Sequence, residues 1–457
     1  MSDSDVLYDT GSLPGAANRL LLVSAAFPPH AVVGATRWEQ FATRLVADGL
    51  AVDVICERPG PGDLVDYSRV EGLPPGIRVI AIAPGEPLLQ RAYVRAKRLL
   101  HGDTGSTLQS TEIQSSPAAT GAQSVQQPDL RERYHYWLSG ARAHRWIRAA
   151  ANAARAHVTA APDAIVSSGP PHLGHIAGRE IAAAFQRPHI IDLRDPWESD
   201  LAKWGSPARA VPSAADELSL MKTAAHTIAN TPAAEELLLA RAPWAADKVS
   251  TILNGSDLAI RAPASDRTPF LAVHTGTLHL SRDPRPFLRA ARAFVQQAAV
   301  APADWRVVFM GHPAVIAGVP MPRLVEEHGL GTYFDFRPPA PRAEAQALMQ
   351  RAHMLLAFPG LPTQVPYKIY EYTSFSAWLL AMVGLGSAPA TLLAGTSAIV
   401  TDGDDEPAIL RALHDTWARH GRGEVPTAAG QDGRFLRERQ YERLRALLHH
   451  AVQGTVR

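Results

Sequence analysis

An α/β architecture of two doubly wound domains is what the sequence predicts, and three observations carry the prediction. Apolar runs of strand length alternate with stretches whose apolar residues recur at helical spacing. The alternation occurs twice, over residues 20–253 and again from residue 270, with a non-periodic stretch at residues 258–269 between. Polar, Pro/Gly-rich loops follow the apolar runs, as at the strand ends that line the crevice of an open parallel sheet. A chain of 457 residues, 46% hydrophobic and 19% charged, is long enough for two or three domains and can bury two full cores.

Charge and cysteine content bound the function. The formal net charge is +1, so no global field calls for nucleic acid; basic character is local. A single cysteine, Cys56, excludes an internal disulfide framework and fits a reducing compartment. The N-terminal residues 1–19 are polar without a basic start, and the apolar run after them is too short for a signal core. No apolar run reaches the length of a membrane span. The expectation is a cytoplasmic protein.

Residues 20–27 (LLLVSAAF) read as a parallel-sheet strand, and FPPHAVVGA as the loop at its carboxyl end. Trp38, Phe41, Ala42, Leu45 and Val46 then give a helix one apolar face, Gly49 ends it, and residues 51–56 form the next strand. This βαβ unit lacks the three-glycine dinucleotide fingerprint, which argues against a dehydrogenase. Residues 77–82 are a further strand, and residues 88–100 a helix carrying Arg91, Arg95, Lys97 and Arg98. Residues 103–127, rich in Ser, Thr, Gln and Gly, have too little apolar surface to offset ordering entropy and read as a mobile insertion. Residues 130–157 return to helix, with arginines among Tyr134, Tyr136, Trp137 and Trp146. That interleaving fits a membrane-surface helix, and it also fits an ordinary amphipathic helix at a domain surface.

Residues 163–168, 188–193, 226–230 and 249–253 read as strands, residues 176–185 as a helix, and Thr231 as the cap of another helix through Arg241. Two polar clusters follow these strands: GPPHLGH, with His172 and His175, and RDPWE, with Arg194, Asp195 and Trp197. At the carboxyl ends of an open sheet they would face one cleft. In the second alternation, strand 270–275 is followed by the turn Gly276, Thr277, Leu278 and by a helix over residues 283–298. Strands are expected at 305–310, 332–336, 354–358, 378–383 and 398–401. Asp402, Asp404 and Asp405 read as a turn and helix cap before Pro407 rather than as a metal-binding pair. With no HxxxH on a helix and no CxxC, no metal is expected.

The most informative stretch is VPYKIYEYT, residues 365–373, after an apolar strand and a Pro/Gly-rich loop. Pro366 suits a helix's first turn, which puts Lys368 and Glu371 in the opening turns on one face. Backbone N–H groups and Lys368 there favour a phosphate, and Glu371 can accept hydrogen bonds from sugar hydroxyls. A ribose diphosphate fits this pattern, and so does a plain surface ion pair.

Strand, loop and VPYKIYEY together resemble the nucleotide-sugar site of retaining GT-B glycosyltransferases, especially family 4 and its relatives, whose common form is vPxKxxEY. FPPHAVVGATR resembles their opening FPPxxxGGAxR, with Val33 in place of the first glycine. SSGPPHLGH and DLRDPW resemble SxPPhxxH and DlRDpW, the passage ending in NGSD resembles the end of their N-terminal domain, and GTLHLSRDP resembles their phosphate loop. The resemblance covers most of residues 20–448 apart from the insertion.

It implies two Rossmann-like domains facing across a cleft. Residues 1–257 would bind the acceptor, 258–269 link, 270–430 bind the nucleotide sugar, and 431–457 pack back across both as a helix. The implied reaction moves a sugar from a nucleotide-diphosphate sugar to a hydroxyl acceptor (polysaccharide, lipid-linked or natural-product), with retention and without metal or other cofactor. By position His172, Arg282 and Lys368 look catalytic; Gly34, Gly276, Thr277, Arg337, Thr363, Lys368 and Glu371 would hold the donor; His175, Arg194 and Asp195 would lie on the acceptor side. Relatives hold the base with backbone groups at the turn that here is Phe336, Arg337 and Pro338. Family 4 usually carries two glutamates eight positions apart, and Thr363 stands at the first. Partners would be donor and acceptor, with no nucleic acid, and the basic aromatic helices offer a peripheral contact at the inner membrane face. The alternatives are a sugar-nucleotide epimerase or pseudo-glycosyl coupling enzyme on the same fold, or an inactive nucleotide-sugar-binding module.

Overall fold

Residues 6–9, 18–60, 63–83, 130–195, 197, 214–264, 269–278, 283–312 and 314–454 are described by a computed structural model. The expected helix at 88–100, the insertion at 103–127 and Arg282 lie outside the described residues. The described chain forms two parallel sheets flanked by helices and divides into two compact units. The first comprises the described residues of Met1–Asn230, Glu235–Ile252 and Arg443–Arg457; the second comprises those of Thr231–Ala234 and Leu253–Glu442.

In the first unit the strands are β1 (Val6–Asp9), β2 (Arg19–Ser24), β3 (Ala51–Glu57), β4 (Ile77–Ile82), β5 (Ala164–Gly169), β6 (His189–Leu193), β7 (His226–Ala229) and β8 (Val249–Thr251). Their order is β1-β4-β3-β2-β5-β6-β7-β8, parallel throughout except that β1 runs antiparallel to β4. Leu20, Leu21, Leu22 and Val23 are all buried, as a strand covered on both faces requires, which is why the run is continuously apolar. The helices met in chain order are α1 (Val33–Ala47), α2 (Ser68–Glu71), α3 (Leu130–His157), α4 (Leu173–Phe185), α5 (Ala214–Thr223) and α6 (Pro232–Arg241). Trp146, Ile147 and Ala150 of α3 and Ala177 and Ile181 of α4 pack on Leu21, Val23 and Ile165. Arg445, far along the sequence, donates to Asp48 at 3.2 Å within the same unit.

The second unit holds β9 (Phe270–Thr275), β10 (Trp305–Met310), the small hairpin β11 (Val315–Ile316) and β12 (Val319–Pro320), then β13 (Phe334–Arg337), β14 (Met354–Ala357), β15 (Trp378–Met382) and β16 (Ile399–Thr401). The main sheet runs β13-β10-β9-β14-β15-β16, all parallel. Its helices are α7 (Arg285–Gln297), α8 (Met321–Glu327), α9 (Arg342–Arg351), α10 (Tyr367–Tyr372), α11 (Ala388–Leu393) and α12 (Glu406–Gly421); α13 (Arg437–Gly454) closes the chain. Phe287, Ala291 and Phe294 of α7 pack with Trp305, Val307 and Leu413 in one of this unit's two cores, the apolar stripe expected of residues 283–298.

Both sheets reverse their order at one place, between β2 and β5 in the first unit and between β9 and β14 in the second. In doubly wound sheets such switch points open a crevice at the carboxyl ends of the strands, where ligands bind. Local expectations hold at several caps: Ala234 N–H donates to Thr231 Oγ1 at 3.1 Å, and Ala408 N–H to Asp405 Oδ1 at 2.9 Å. Strand β1 departs from the reading of the N-terminus as plain polar chain. A four-residue edge strand draws on backbone bonds to β4 and leaves little hydrophobic pattern. Strand β13 begins at Phe334 rather than at 332 because Gly331–Tyr333 forms a 3-10 turn.

Candidate functional site

In the second unit the switch point gathers Gly276, which follows β9, and Lys368, which follows β14. Gly276 has φ +89°, a conformation L side chains avoid. A Cβ built there would lie 3.0 Å from Lys368 Nζ, so the ammonium sits directly over this glycine. Helix α10 starts after Pro366, as expected, but has only six residues. Its dipole is correspondingly weak, so the Lys368 charge carries the positive potential here. Tyr372, one turn on from Lys368 and buried, accepts from the Thr275 N–H at 2.8 Å and fixes that face of the helix to the end of β9. Lys368 Nζ lies 3.1 Å from His274 Nε2.

Beside this point is a cavity of ≈ 230 Å³ lined by Leu278, Phe309, Gly311, Phe336 and Arg337 among others. Phe309 and Phe336 stack at 5.9 Å, and a Cβ on Gly311 would meet the Gly276 backbone at 2.7 Å. Flat apolar walls with backbone at close approach suit a planar ring. Of the expected base-holding turn, the Arg337 carbonyl accepts from Gly311 N–H at 3.0 Å, and its guanidinium pairs with Asp335 at 2.8 Å on the exposed surface.

Glu371 and Lys368 go to different partners. The Glu371 carboxylate accepts from Arg342 Nη2 at 2.6 Å and Nε at 3.0 Å, both on Oε1. Tyr367 accepts from Arg437 at 2.9 Å, and the wholly buried Arg437 also pairs with Asp257 at 2.8 Å and donates to the carbonyls of Asn254 and Gly255. Burial, ahead of the charges around it, pushes the Tyr367 hydroxyl above its ordinary pKa, so it stays protonated. Thr363, in the loop after β14, accepts through its carbonyl from Thr231 Oγ1 at 3.2 Å.

The first unit's switch point collects Gly34, His172, His175, Arg194 and Asp195 at the ends of β2, β5 and β6. The Arg194 guanidinium donates to the carbonyls of Gly34 and Pro170 and so ties the first turn of α1 to the loop after β5. A Cβ at Gly34 would collide with it. Behind them, Asp192 is fully enclosed and accepts from Arg37 at 2.9 and 3.1 Å, from Trp38 Nε1 at 2.6 Å and from Ser168 Oγ at 3.0 Å. Asp195 is half-buried.

His172 stands immediately before the first residue of α4, buried, with its ring 4.8 Å from Trp197 and 5.7 Å from His175. Ser167 Oγ bridges His175 Nδ1 and His189 Nε2, each at 2.8 Å. A hydroxyl has one proton, so one of these rings must donate to it. Burial holds His175 well below the ordinary histidine pKa, helped by His172, His189 and Arg194, and burial with Arg179 lowers His189 to about 3. Both rings are neutral at physiological pH.

The structure thus brings together Gly276, Lys368, Arg337 and the start of α10 in one unit, and Gly34, His172, His175 and Arg194 in the other. Arg282 lies outside the described residues. His274, Arg342, Arg437 and Asp192 were not singled out from sequence. The only trace of His274 was a polar residue inside the apolar run of β9, Asp192 stood as the first residue of the DLRDPW stretch, and Arg342 and Arg437 had none. Among the described residues no group of three or more His, Cys, Asp or Glu is placed to hold a metal, and no helix is long and apolar enough to cross a membrane.

No family model and no curated relative matches the sequence. Solved structures share the architecture. A sucrose-phosphate synthase from Thermosynechococcus elongatus superposes with TM-score 0.59 at 14% identity, over 96% of this chain and 100% of its own. The Anabaena protein HepE, in complex with UDP and glucose, gives TM-score 0.61 at 11% identity, over 95% of this chain and 99% of its own. An α,α-trehalose 6-phosphate synthase from Burkholderia multivorans gives 0.56 at 14%, over 96% and 98%. Likeness at this identity establishes the fold, two Rossmann-like domains of the GT-B type.

Proposed function

We propose that the chain is a glycosyltransferase that moves a sugar from a nucleoside-diphosphate sugar to a hydroxyl acceptor, with retention of configuration and without a metal. The observation that carries the reading is the Lys368 ammonium held over Gly276 at the switch point of the second sheet, next to an aromatic-walled cavity. A diphosphate needs a cation and close backbone; a base needs a flat apolar slot; a ribose needs an acceptor such as Glu371. The fold shared with HepE, which was solved with UDP and glucose, supports the same assignment.

The protein's work is electrostatic. As the glycosidic bond breaks, charge grows on the β-phosphate, and Lys368 lowers the energy of that charge by an amount of the order of 3 kcal/mol, typical of a single preorganised donor. The acceptor hydroxyl attacks from the face the diphosphate leaves, and a leaving-group oxygen takes its proton. His172, Gly34, Arg194 and Asp195 are assigned to the acceptor side, and Arg282 to the diphosphate. Turnover should survive a chelator.

Calorimetric titration of UDP and other nucleoside diphosphates into wild type, Lys368→Ala and Glu371→Ala tests this. Glu371→Ala should weaken nucleotide binding by about a hundredfold, the loss of two hydrogen bonds to a charged group. Lys368→Ala should reduce turnover more than affinity. If Glu371 serves only its ion pair with the half-exposed Arg342, nucleotide affinity stays at the wild-type value and the assignment falls.

A further inference from the structure

We propose that His274 is the positioning residue for Lys368: a neutral ring that accepts from the ammonium, aims it over Gly276, and leaves its charge intact. The inference rests on the reading of Lys368 as the cation for the donor's diphosphate.

The tautomer follows from the partners. His274 is buried, and its Nδ1 lies 2.8 Å from the Leu356 carbonyl oxygen. A carbonyl can only accept, so Nδ1 carries the proton. In a neutral ring that leaves Nε2 with its lone pair, 3.1 Å from Lys368 Nζ. An ammonium can only donate, so the bond runs from Lys368 to Nε2. A protonated ring would have no lone pair to offer and would set two cations against each other. The ring itself is held by aromatic neighbours, Phe358 edge-on at 5.1 Å and Phe309 at 5.5 Å.

The choice of partner has a chemical consequence. A carboxylate at this position would fix Lys368 equally well but would cancel its charge, and the anion would meet a neutral pair. A neutral imidazole fixes the side chain and leaves a full positive charge for the ligand. Gly276 completes the arrangement, because a Cβ there would lie 3.0 Å from the ammonium and crowd it.

Two substitutions separate the ring's two bonds. His274→Asn can keep a donor near the Nδ1 position for Leu356 but offers Lys368 nothing; His274→Gln reaches the Nε2 position and can accept from Lys368. Steady-state kinetics with the nucleoside-diphosphate sugar that the wild type accepts should show kcat falling about tenfold or more in the Asn variant with a smaller change in KM. The Gln variant should stay within a few-fold of wild type. Equal losses in both, or a fall in melting temperature with kcat unchanged, would overturn the inference. A ligand-free readout keeps it separate from the functional reading. In protein labelled with 15N-histidine, His274 should show Nδ1–H with an unprotonated Nε2, whose resonance moves in Lys368→Met. A proton on Nε2, or no response to Lys368→Met, refutes the positioning role whether or not any nucleotide binds. The correct tautomer in a protein that takes no nucleoside diphosphate would sustain the pair and remove only the proposed function.

Discussion

Replacing Asp192 by alanine should destabilise the first unit more than any surface change can, and the size of the effect can be worked from its surroundings. The carboxylate is fully enclosed, and its main partner, Arg37, is 3% exposed, so the deletion takes a buried carboxylate away from a guanidinium in the interior. Breaking a buried pair from one side costs about 3–5 kcal/mol. The Trp38 and Ser168 donors lose their acceptor as well, each a further loss of about 1 kcal/mol. A total of about 5–7 kcal/mol, at about 2–4 °C per kcal/mol for a unit of this size, lowers its melting transition by about 10–28 °C. Arg37→Met combined with Asp192→Leu should recover a large part of that, because the buried charge is gone. Differential scanning calorimetry measures both, with nucleotide affinity of the second unit as the internal control. A shift below about 3 °C for Asp192→Ala, or a double variant no better than the single, would refute the account of Asp192 as the counter-charge of Arg37.

Two further expectations concern pH and close packing. His175 and His189 are neutral in the folded state at pH values where an unfolded histidine, with a pKa near 6.5, is protonated. The unfolded state therefore binds more protons below about pH 6.5, and the two residues contribute a stability that is full above that pH and lost as pH falls toward 3. These two contribute a limiting slope of about 2.7 kcal/mol per pH unit, two protons' worth, and urea midpoints of wild type and His189→Asn between pH 7 and pH 5 should show the variant shallower by about 1.4 kcal/mol per pH unit, one proton's worth. Gly311→Ala would place a methyl 2.7 Å from the Gly276 backbone, where neither neighbour is a flexible side-chain end. Nucleotide affinity should fall at least tenfold while the first unit's melting is unchanged, and an unaltered titration curve would show that the two loops are free to separate.

Strands β9 and β10 were legible to the residue because each is buried on both faces and bounded by polar turns, so pattern and environment coincide. The start of α10 was legible for a local reason, the proline that fits a first turn. β1 was not, since an edge strand asks little of its side chains. The same division runs through the candidate site. Lys368, Gly276 and His172 lie in short stretches with recognisable chemistry, whereas the groups that aim or anchor them arrive from far along the chain. Arg37 meets Asp192 across 155 positions, and Lys368 meets His274 across 94. Spacing in one dimension carries no trace of such pairs. Glu371 illustrates the limit: its position on the helix was readable, and its partner Arg342, on a different helix, was not.

The membership of Arg443–Arg457 in the first unit bears on how the chain is made. Ribosomes deliver the polypeptide from its amino end, so the sheet β1–β8 emerges early while residues 443–457, which belong to the same unit, are synthesised only after the second unit. Between the two come about 190 residues of other structure, and at ordinary elongation rates that interval lasts roughly ten seconds or more. During it Asp48 is without its contact to Arg445. The second unit, Leu253–Glu442, is by contrast nearly contiguous and can close as soon as it has left the ribosome. Nascent chains arrested before residue 443 should therefore resemble the finished protein in the second unit and be more sensitive to protease in the first, so that folding of the first unit waits on a segment made after the second.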